Sequence, residues 1–546
     1  MPPKGEQEVI YGGPWGGLDF SRPYNVLDPQ FLAPGTVNTS QINGFLTTSP
    51  WLGQTPYNPN VFAANEWVIG IFESRVYAST AIAGGFQLTT VTIVVTNLKV
   101  YVAFGSQNAG NNVQANGLNL VHTWAGGELN PPYMVPGQAI SFVEIAGTTY
   151  FTGLMLTGIF SLTIAGGAFV FAQATNYVAG QYLIELDGRL VVAQCYFPGG
   201  GGTGTSVLPT VAWSGPGLYA GVGPSDPWNP VNNLGGGFNE LSDVPDVITG
   251  LAGIGRSALI FRQTGVSQID PNPGTSNSGL QPFTFYHLWA SAQGVGAFAG
   301  TVAQFGQQVL FRSSDNVYSI SINAGLQGLG NRIIAKIAID QRAADLNGTA
   351  VMASTFATGY WYFGSIVNIA GQLHYLLAFS AFKENNTGSG TTFTYVDLVY
   401  DYNLSESAWH LWDISAYFNK TGTPQPFSGF SCPITQTQDI NSSSGGLGGI
   451  PSQFGLQYLL VGVLTTLTTT ALGGLLNQFV PFDYDFNSNP YVYAAPAYTP
   501  QALPLTTIVF RAEVISLGHK ISTRRLRIQA DNAPIPGTPG GGGGLD

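Results

Sequence analysis

The run Tyr182-Leu183-Ile184-Glu185-Leu186-Asp187-Gly188-Arg189-Leu190-Val191-Val192-Ala193 decides the fold class. Two apolar stretches of strand length flank Asp187-Gly188, a dipeptide that accepts the positive φ of a tight hairpin turn without a Cβ clash. The pattern recurs along the chain. Phe142 to Ile145 turns at Ala146-Gly147 into Tyr150-Phe151, and Ile248 to Leu251 turns at Gly255 into Leu259-Ile260-Phe261. Val302 to Phe305 turns at Gly306 into Val309-Leu310-Phe311, and Ala353 to Phe356 turns at Gly359 into Trp361-Tyr362-Phe363. A third strand often follows, as at Gly158 to Leu162, Val266 to Ile269 and Val317 to Ile320. The turn glycines 147, 188, 255, 306 and 359 stand 41, 67, 51 and 53 residues apart. Propeller blades of four strands repeat at roughly 40–50 residues, and the longer gaps leave room for insertions. The spacing therefore predicts an all-β chain with a β-propeller-like core, in preference to a sandwich or barrel. Additional small β domains are expected from the N- and C-terminal segments.

Outside that repeat, Trp67 to Phe72 followed by Arg75-Val76-Tyr77 reads as a hairpin, as does Thr90 to Val95 followed by Lys99 to Val102. Sustained amphipathic helix is scarce. The best candidate is Asn331 to Leu346, where Ile333, Ile334, Ile337, Ile339 and Ala343 fall roughly on one face. Leu456 to Val480 carries no charge and is long enough to span a bilayer. Its five threonines and the Gly473-Gly474 break, with no closely flanking Lys or Arg, favour two strands and a turn over a membrane span. The expected organisation is an extended arm over 1–60, a propeller-like region over 61–430 and an insertion or tip over 431–500. A β segment over 501–532 closes the platform, and a flexible Gly/Pro tail occupies 533–546.

Composition narrows the function. Charged residues make up 9% of the 546, with 18 basic against 29 acidic and a net charge of −11. Soluble domains average about 25% charged, so so bare a surface is suited to burial against other subunits. Disorder is excluded by 44% hydrophobic and 12% aromatic residues. The acidic balance opposes a nucleic-acid grip. Cys195 and Cys432 are too few for a disulfide framework and read as small core residues. The N-terminus leads into no apolar signal core.

No set of residues announces catalysis. The five histidines lack H-E-x-x-H spacing, no Ser sits in G-x-S-x-G, and two distant cysteines make no zinc site. Gly199 to Ser206 is glycine-rich but lacks a P-loop lysine. Asp483 to Ala494 opens like a calcium loop but has Ser488 and Ala494 where Gly and Glu are needed. Glu240, Asp243 and Asp246 could supply a glycosidase pair, or simply line a turn at Pro245. Trp409, His410 and Trp412 could form a sugar-stacking platform. Lys520, Arg524, Arg525 and Arg527 put four cations within eight residues, either a docking edge for an acidic partner or phosphate, or a charge-protected edge strand. No catalytic, cofactor or metal residue is assigned.

Several segments in order resemble the tail nozzle or packaged-DNA stabilisation proteins of short-tailed bacteriophages. They are Gly16-Gly17-Leu18-Asp19, Leu27 to Gly35, Asn43 to Leu46, Asp187 to Leu190, Val211 to Ser214, Asp226-Pro227-Trp228, Asn239 to Leu241 and Asp246 to Leu251. Val399 to Asn403 with Trp409 and Trp412, and Lys520 to Asp531, continue the series. The likeness covers residues 10–270 and 395–531; residues 430–500 match nothing in it. It implies a virion protein, usually a ring of six copies, beside portal, adaptor and tail fibres, retaining and then conducting DNA without sequence-specific binding. Six copies at −11 each would carry −66, a wall that repels phosphate. The competing expectations are a carbohydrate-binding propeller, a tail fibre, a stopper and a capsid decoration protein.

Overall fold

The computed structural model describes residues 16–22, 27, 30–34, 36–42, 45–48, 51–56, 62–79, 86–104, 119–131, 140–165, 168–198, 207–241, 246–272, 281–287, 294–321, 325–346, 360–369, 372–386, 391–413, 427–430, 434–436, 456–467 and 472–481. The chain opens with the hairpin β1 (Thr39–Ile42) and β2 (Phe45–Thr48), then β3 (Trp51–Pro56). Six four-stranded antiparallel sheets follow among the described residues, each built from strands consecutive in the chain. Blade 1 is β4 (Val68–Ser79), β5 (Phe86–Thr96), β6 (Lys99–Phe104) and β7 (Asn119–Thr123). Blade 2 is β8 (Ser141–Ile145), β9 (Thr148–Thr152), β10 (Ile159–Ala165) and β11 (Ala168–Thr175). Blade 3 is β12 (Ala179–Leu186), β13 (Arg189–Tyr196), β14 (Leu208–Trp213) and β15 (Gly237–Glu240). Blade 4 is β16 (Ile248–Ile254), β17 (Ser257–Arg262), β18 (Val266–Pro271) and β19 (Phe283–His287). Blade 5 is β20 (Ala303–Phe305), β21 (Gln308–Arg312), β22 (Val317–Ser321) and β23 (Gly325–Gly328), followed by helix α1 (Ile334–Leu346). Blade 6 is β24 (Tyr360–Ile369), β25 (Gln372–Asn386), β26 (Thr391–Asn403) and β27 (Ala408–Asp413). The fold is a six-bladed β-propeller with a single helix among its described elements.

Turn chemistry sets the blades. Ala146-Gly147 and Asp187-Gly188 have positive φ at both positions, the I′ geometry that matches strand twist. Gly255 and Gly306 have it at the first position, as a II′ turn requires. From blade 1 to blade 6 the first strands of successive blades touch, so each hairpin runs outward from the centre. Between blades lies a shared apolar layer. Tyr150, Leu183 and Val192 join blades 2 and 3; Val191, Trp213, Ile260 and Phe283 join 3 and 4; Phe261 and Phe311 pack as a tilted pair at 4.8 Å between 4 and 5. Burial on both faces explains why all of β13 is buried and reads as a continuous apolar run.

Closure is non-covalent. Ile69 and Ile93 of blade 1 share one core with Phe160 of blade 2 and with Trp361, Leu376 and Trp412 of blade 6. The described residues between 16 and 42 lie along β27, the outermost strand of blade 6, and Leu18 and Leu32 pack into the core shared by blades 5 and 6. Leu18 N donates to Trp409 O at 2.7 Å, Asn38 N to Leu411 O at 2.7 Å, and Trp412 Nε1 to Thr39 O at 3.0 Å. Gly17, at φ +70, lies so close that a Cβ would fall 2.6 Å from Trp409 O. Beyond the blades in sequence, β28 (Phe427–Phe430), β29 (Ile434–Gln436), β30 (Leu456–Leu467) and β31 (Leu472–Pro481) form a further sheet that takes in β3 and contacts β4 and β24, the first strands of blades 1 and 6.

One local expectation changes. Val68–Ser79 is one continuous strand, because Ser74 is buried and hydrogen-bonds Thr149 of blade 2 instead of breaking the run. In blade 6 the Trp361-Tyr362-Phe363 run lies on β24, which pairs with β25 through Ile369↔Gln372, while Ala353 to Phe356 and the expected turn at Gly359 lie outside the described residues. The uncharged stretch Leu456 to Val480 is a hairpin, as its threonines and glycines predict. No helix among the described residues is long and apolar enough to cross a membrane.

Candidate interaction faces

The outermost strands of the six blades are β7, β11, β15, β19, β23 and β27. Together they hold two carboxylates, Glu240 and Asp413, and no Lys or Arg. Exposed sheet edges are ordinarily guarded by charge, proline or a covering segment. Here β27 is covered by the protein's own N-terminal arm, while Leu120, Val170, Phe238 and Tyr286 on four other outer strands are exposed.

Blade 3 carries the most constructed of these surfaces. Between β14 and β15 the chain makes a 23-residue excursion, 214–236, with two short 3₁₀ turns. Arg189, 3% exposed, grips both ends of it, donating from Nη1 to Ser214 O at 2.7 Å and Gly235 O at 2.6 Å. Burial holds its guanidinium below the ordinary arginine range. Trp228, 1% exposed, plugs the excursion into the blade 2–3 core. Asp226 accepts from Thr175 Oγ1 at 2.6 Å and Trp228 N at 2.9 Å, which ties the loop to blade 2. Burial raises the Asp226 carboxyl above its usual range, against the lowering from those two donors. Asn232 Nδ2 closes the inside by donating to Gly223 O and Asp226 O. Gly236 lies in such close contact that a Cβ would meet Pro227 O at 2.1 Å. A loop this firmly held nevertheless exposes Leu218 at 46%, Val222 at 51% and Val231 at 80%, beside Phe238 at 49%. Gly217 N donates to Gly188 O at 2.8 Å, which sets the acidic turn Glu185 to Asp187 next to Leu218. Both carboxylates are exposed.

The other polar cluster is buried beneath the arm. Asp401 accepts from His374 Nδ1 at 2.7 Å and Ser40 Oγ at 2.7 Å, while Thr39 Oγ1 meets His410 Nδ1 at 3.2 Å. His374, Asp401 and His410 are all 0% exposed. Burial pushes His410 down to about 4, with Asp401 raising it, His374 lowering it and Glu406 raising it by smaller amounts. These residues hold the arm to blade 6.

The residues singled out from sequence distribute as follows. Lys520, Arg524, Arg525 and Arg527 lie outside the described residues, as do Asp483 to Ala494, Gly199 to Ser206, Cys432 and Asp243. Trp409, His410 and Trp412 form no open sugar platform, because the arm and the blade core bury all three. Asp246 accepts from Thr264 N at 2.6 Å and Oγ1 at 2.7 Å, a turn contact, while Glu240 is exposed on β15. Cys195 is a buried free thiol. Among the described residues no group of three or more His, Cys, Asp or Glu could hold a metal ion. The blade 3 excursion was not singled out as a surface, although Asp226-Pro227-Trp228 within it was.

The geometry defines a six-bladed propeller whose distinctive surfaces are its uncharged edges and the blade 3 excursion. No family model and no curated protein matches the chain. Among solved structures it is similar to the subtype N11 neuraminidase-like protein of A/flat-faced bat/Peru/033/2010, at 9% identity and a TM-score of 0.26, covering 82% of this chain and 96% of that one. It is also similar to the tail fiber of Staphylococcus aureus phage P68, at 8% identity and a TM-score of 0.22, covering 79% of this chain. This chain spans 53% of that fiber's length.

Proposed function

We propose that the protein is a non-enzymatic structural subunit of a phage virion, a propeller whose edges pack against neighbouring subunits. The observation that carries this reading is the outer rim: six edge strands with no Lys or Arg and two carboxylates. A free propeller with such edges is open to strand addition and association, whereas a subunit uses them as contacts. The low overall charge accords with this, because surface buried in an assembly needs no charge for solubility.

The ordered motifs from Gly16 to Asp531 support a place in the tail. The narrowest form of the reading is a nozzle, a ring of six copies around a DNA channel. Its net charge of −11 per copy suits a wall along which DNA slides. A tail fibre or other appendage uses the same rim with different symmetry.

Native mass spectrometry of the full-length chain at micromolar concentration tests the assembly. Discrete multiples of 57.7 kDa are expected. A stable monomer across the whole concentration range overturns it. Negative-stain images then separate the forms: a closed ring with an open centre for a nozzle, an elongated or open array for an appendage.

A further inference from the structure

Charge is distributed unevenly over the propeller. From Val100 to Gly255 the chain holds eight carboxylates and one cation, Arg189. That cation is buried and committed to Ser214 O and Gly235 O, so it offers nothing to a partner. Among the described residues, eight of the eleven exposed large hydrophobics fall in the same stretch: Leu120, Val170, Leu208, Leu218, Val222, Val231, Phe238 and Val247. The excursion of blade 3 gathers three of them on a loop tied down by Arg189, Asp226, Trp228 and Asn232. Glu185 and Asp187 stand beside it, and Glu240 lies two residues beyond Phe238. Stiff apolar groups bordered by one sign of charge make a preorganised binding face, because little side-chain or loop entropy is lost on docking.

The complementary chemistry is in the same chain. Lys520, Arg524, Arg525 and Arg527 are four of its 18 cations, interleaved with Ile521, Leu526 and Ile528. This segment begins 39 residues beyond Pro481, where β31 ends. At about 3.3 Å per extended residue, that connection reaches well past the dimensions of one blade.

We propose that the apolar, acidic face of blade 3 is the docking surface for the basic segment Lys520 to Arg527 of a neighbouring copy. The inference rests on the assembly reading above and names the contact that builds it. Arginines meet Glu185, Asp187 and Glu240, while the interleaved aliphatic side chains cover Leu218, Val222, Val231 and Phe238. Such a contact is heterologous, head to tail, which generates a ring when the rotation closes.

Charge reversal in the full-length chain tests it. Variant one carries Arg524→Glu, Arg525→Glu and Arg527→Glu; variant two carries Glu185→Arg and Glu240→Arg. Each alone should lose the oligomer at concentrations where the wild type assembles, with association weakened at least tenfold. An equimolar mixture should restore it, since each variant then supplies what the other lacks. Should a variant not fold, zero-length carbodiimide crosslinking of wild-type chains decides. Light and ¹⁵N-labelled copies are dissociated and reassembled together, and Lys520 should link to Glu185, Asp187 or Glu240 across isotopes. Links confined to one isotope mean docking within a chain and overturn the proposal. So does a reversal variant that assembles as the wild type does, or a mixture that does not assemble. In those cases an oligomeric wild type leaves the assembly reading standing; a monomeric wild type removes that reading itself.

Discussion

Acid should weaken the clasp between the N-terminal arm and blade 6 by an amount that follows from His410. Its imidazole is fully buried, Nδ1 meets Thr39 Oγ1 at 3.2 Å, and Nε2 has no hydrogen-bond partner. The facing titratable groups are Asp401 and His374 on adjacent strands and Glu406 in the β26–β27 turn. In the folded protein burial holds the group at about 4, against 6.5 for a free imidazole. Between those values the unfolded chain binds the proton and the folded chain does not. Stability from this group is therefore whole above pH 6.5 and falls as pH drops, at about 1.4 kcal/mol per unit. Integrated to pH 4.5 the loss is about 2.5 kcal/mol. Urea unfolding of the wild type and His410→Gln at pH 7 and pH 4.5 measures it. Removing the imidazole costs a fixed amount through the Thr39 contact, but it also removes the slope. The gap between the two proteins should narrow by about 2.5 kcal/mol on acidification. Asp226, held above its usual range, contributes with the opposite sign, and it does so in both proteins, so it cancels. A gap that stays constant with pH refutes the reasoning.

Trp228→Ala should destabilise by about 3–5 kcal/mol, read as a lowered urea midpoint, because it empties the blade 2–3 core and releases the excursion. Glu66, 0% exposed, accepts from Ala63 N, Thr96 Oγ1, Tyr101 Oη and Lys99 Nζ; Glu66→Ala should cost about 3 kcal/mol by leaving those donors unmatched. Gly17→Ala forces a Cβ against Trp409 at a positive φ, so hydrogen exchange at Leu18 and Asn38 amides should speed up while blades 3 and 4 keep their protection.

Blades 2 to 5 were legible because their first turns are local chemistry. Gly147, Gly188, Gly255 and Gly306 all have positive φ, and each sits between apolar runs that pair across it. Blade 1 misled because Glu73-Ser74-Arg75 is polar in the middle of a strand, and the reason for that polarity, Thr149, lies in another blade. In blade 6 the aromatic run Trp361-Tyr362-Phe363 was legible as strand, while Ala353 to Gly359 lie outside the described residues. The aromatic pair Trp409 and Trp412 looked available for stacking, and what hides it is some 370 residues away in sequence. The blade 3 face was half legible. The shortage of cations between Val100 and Gly255 can be counted from sequence, whereas the rigidity that keeps Val231 exposed arises only once Trp228 and Asp226 are seated.

The arm clasped to blade 6 has a consequence for biogenesis. Residues 16–42 leave the ribosome before the blades do, and their partners Asp401, Trp409 and Leu411 follow some 360–390 residues later. Through most of synthesis the blades stack while the arm still lacks β27. Bringing together ends so far apart costs little more entropy than a loop half as long, since the penalty grows only with the logarithm of length. The cost is instead one of time, during which the unguarded edges of finished blades face every other nascent copy in the cell.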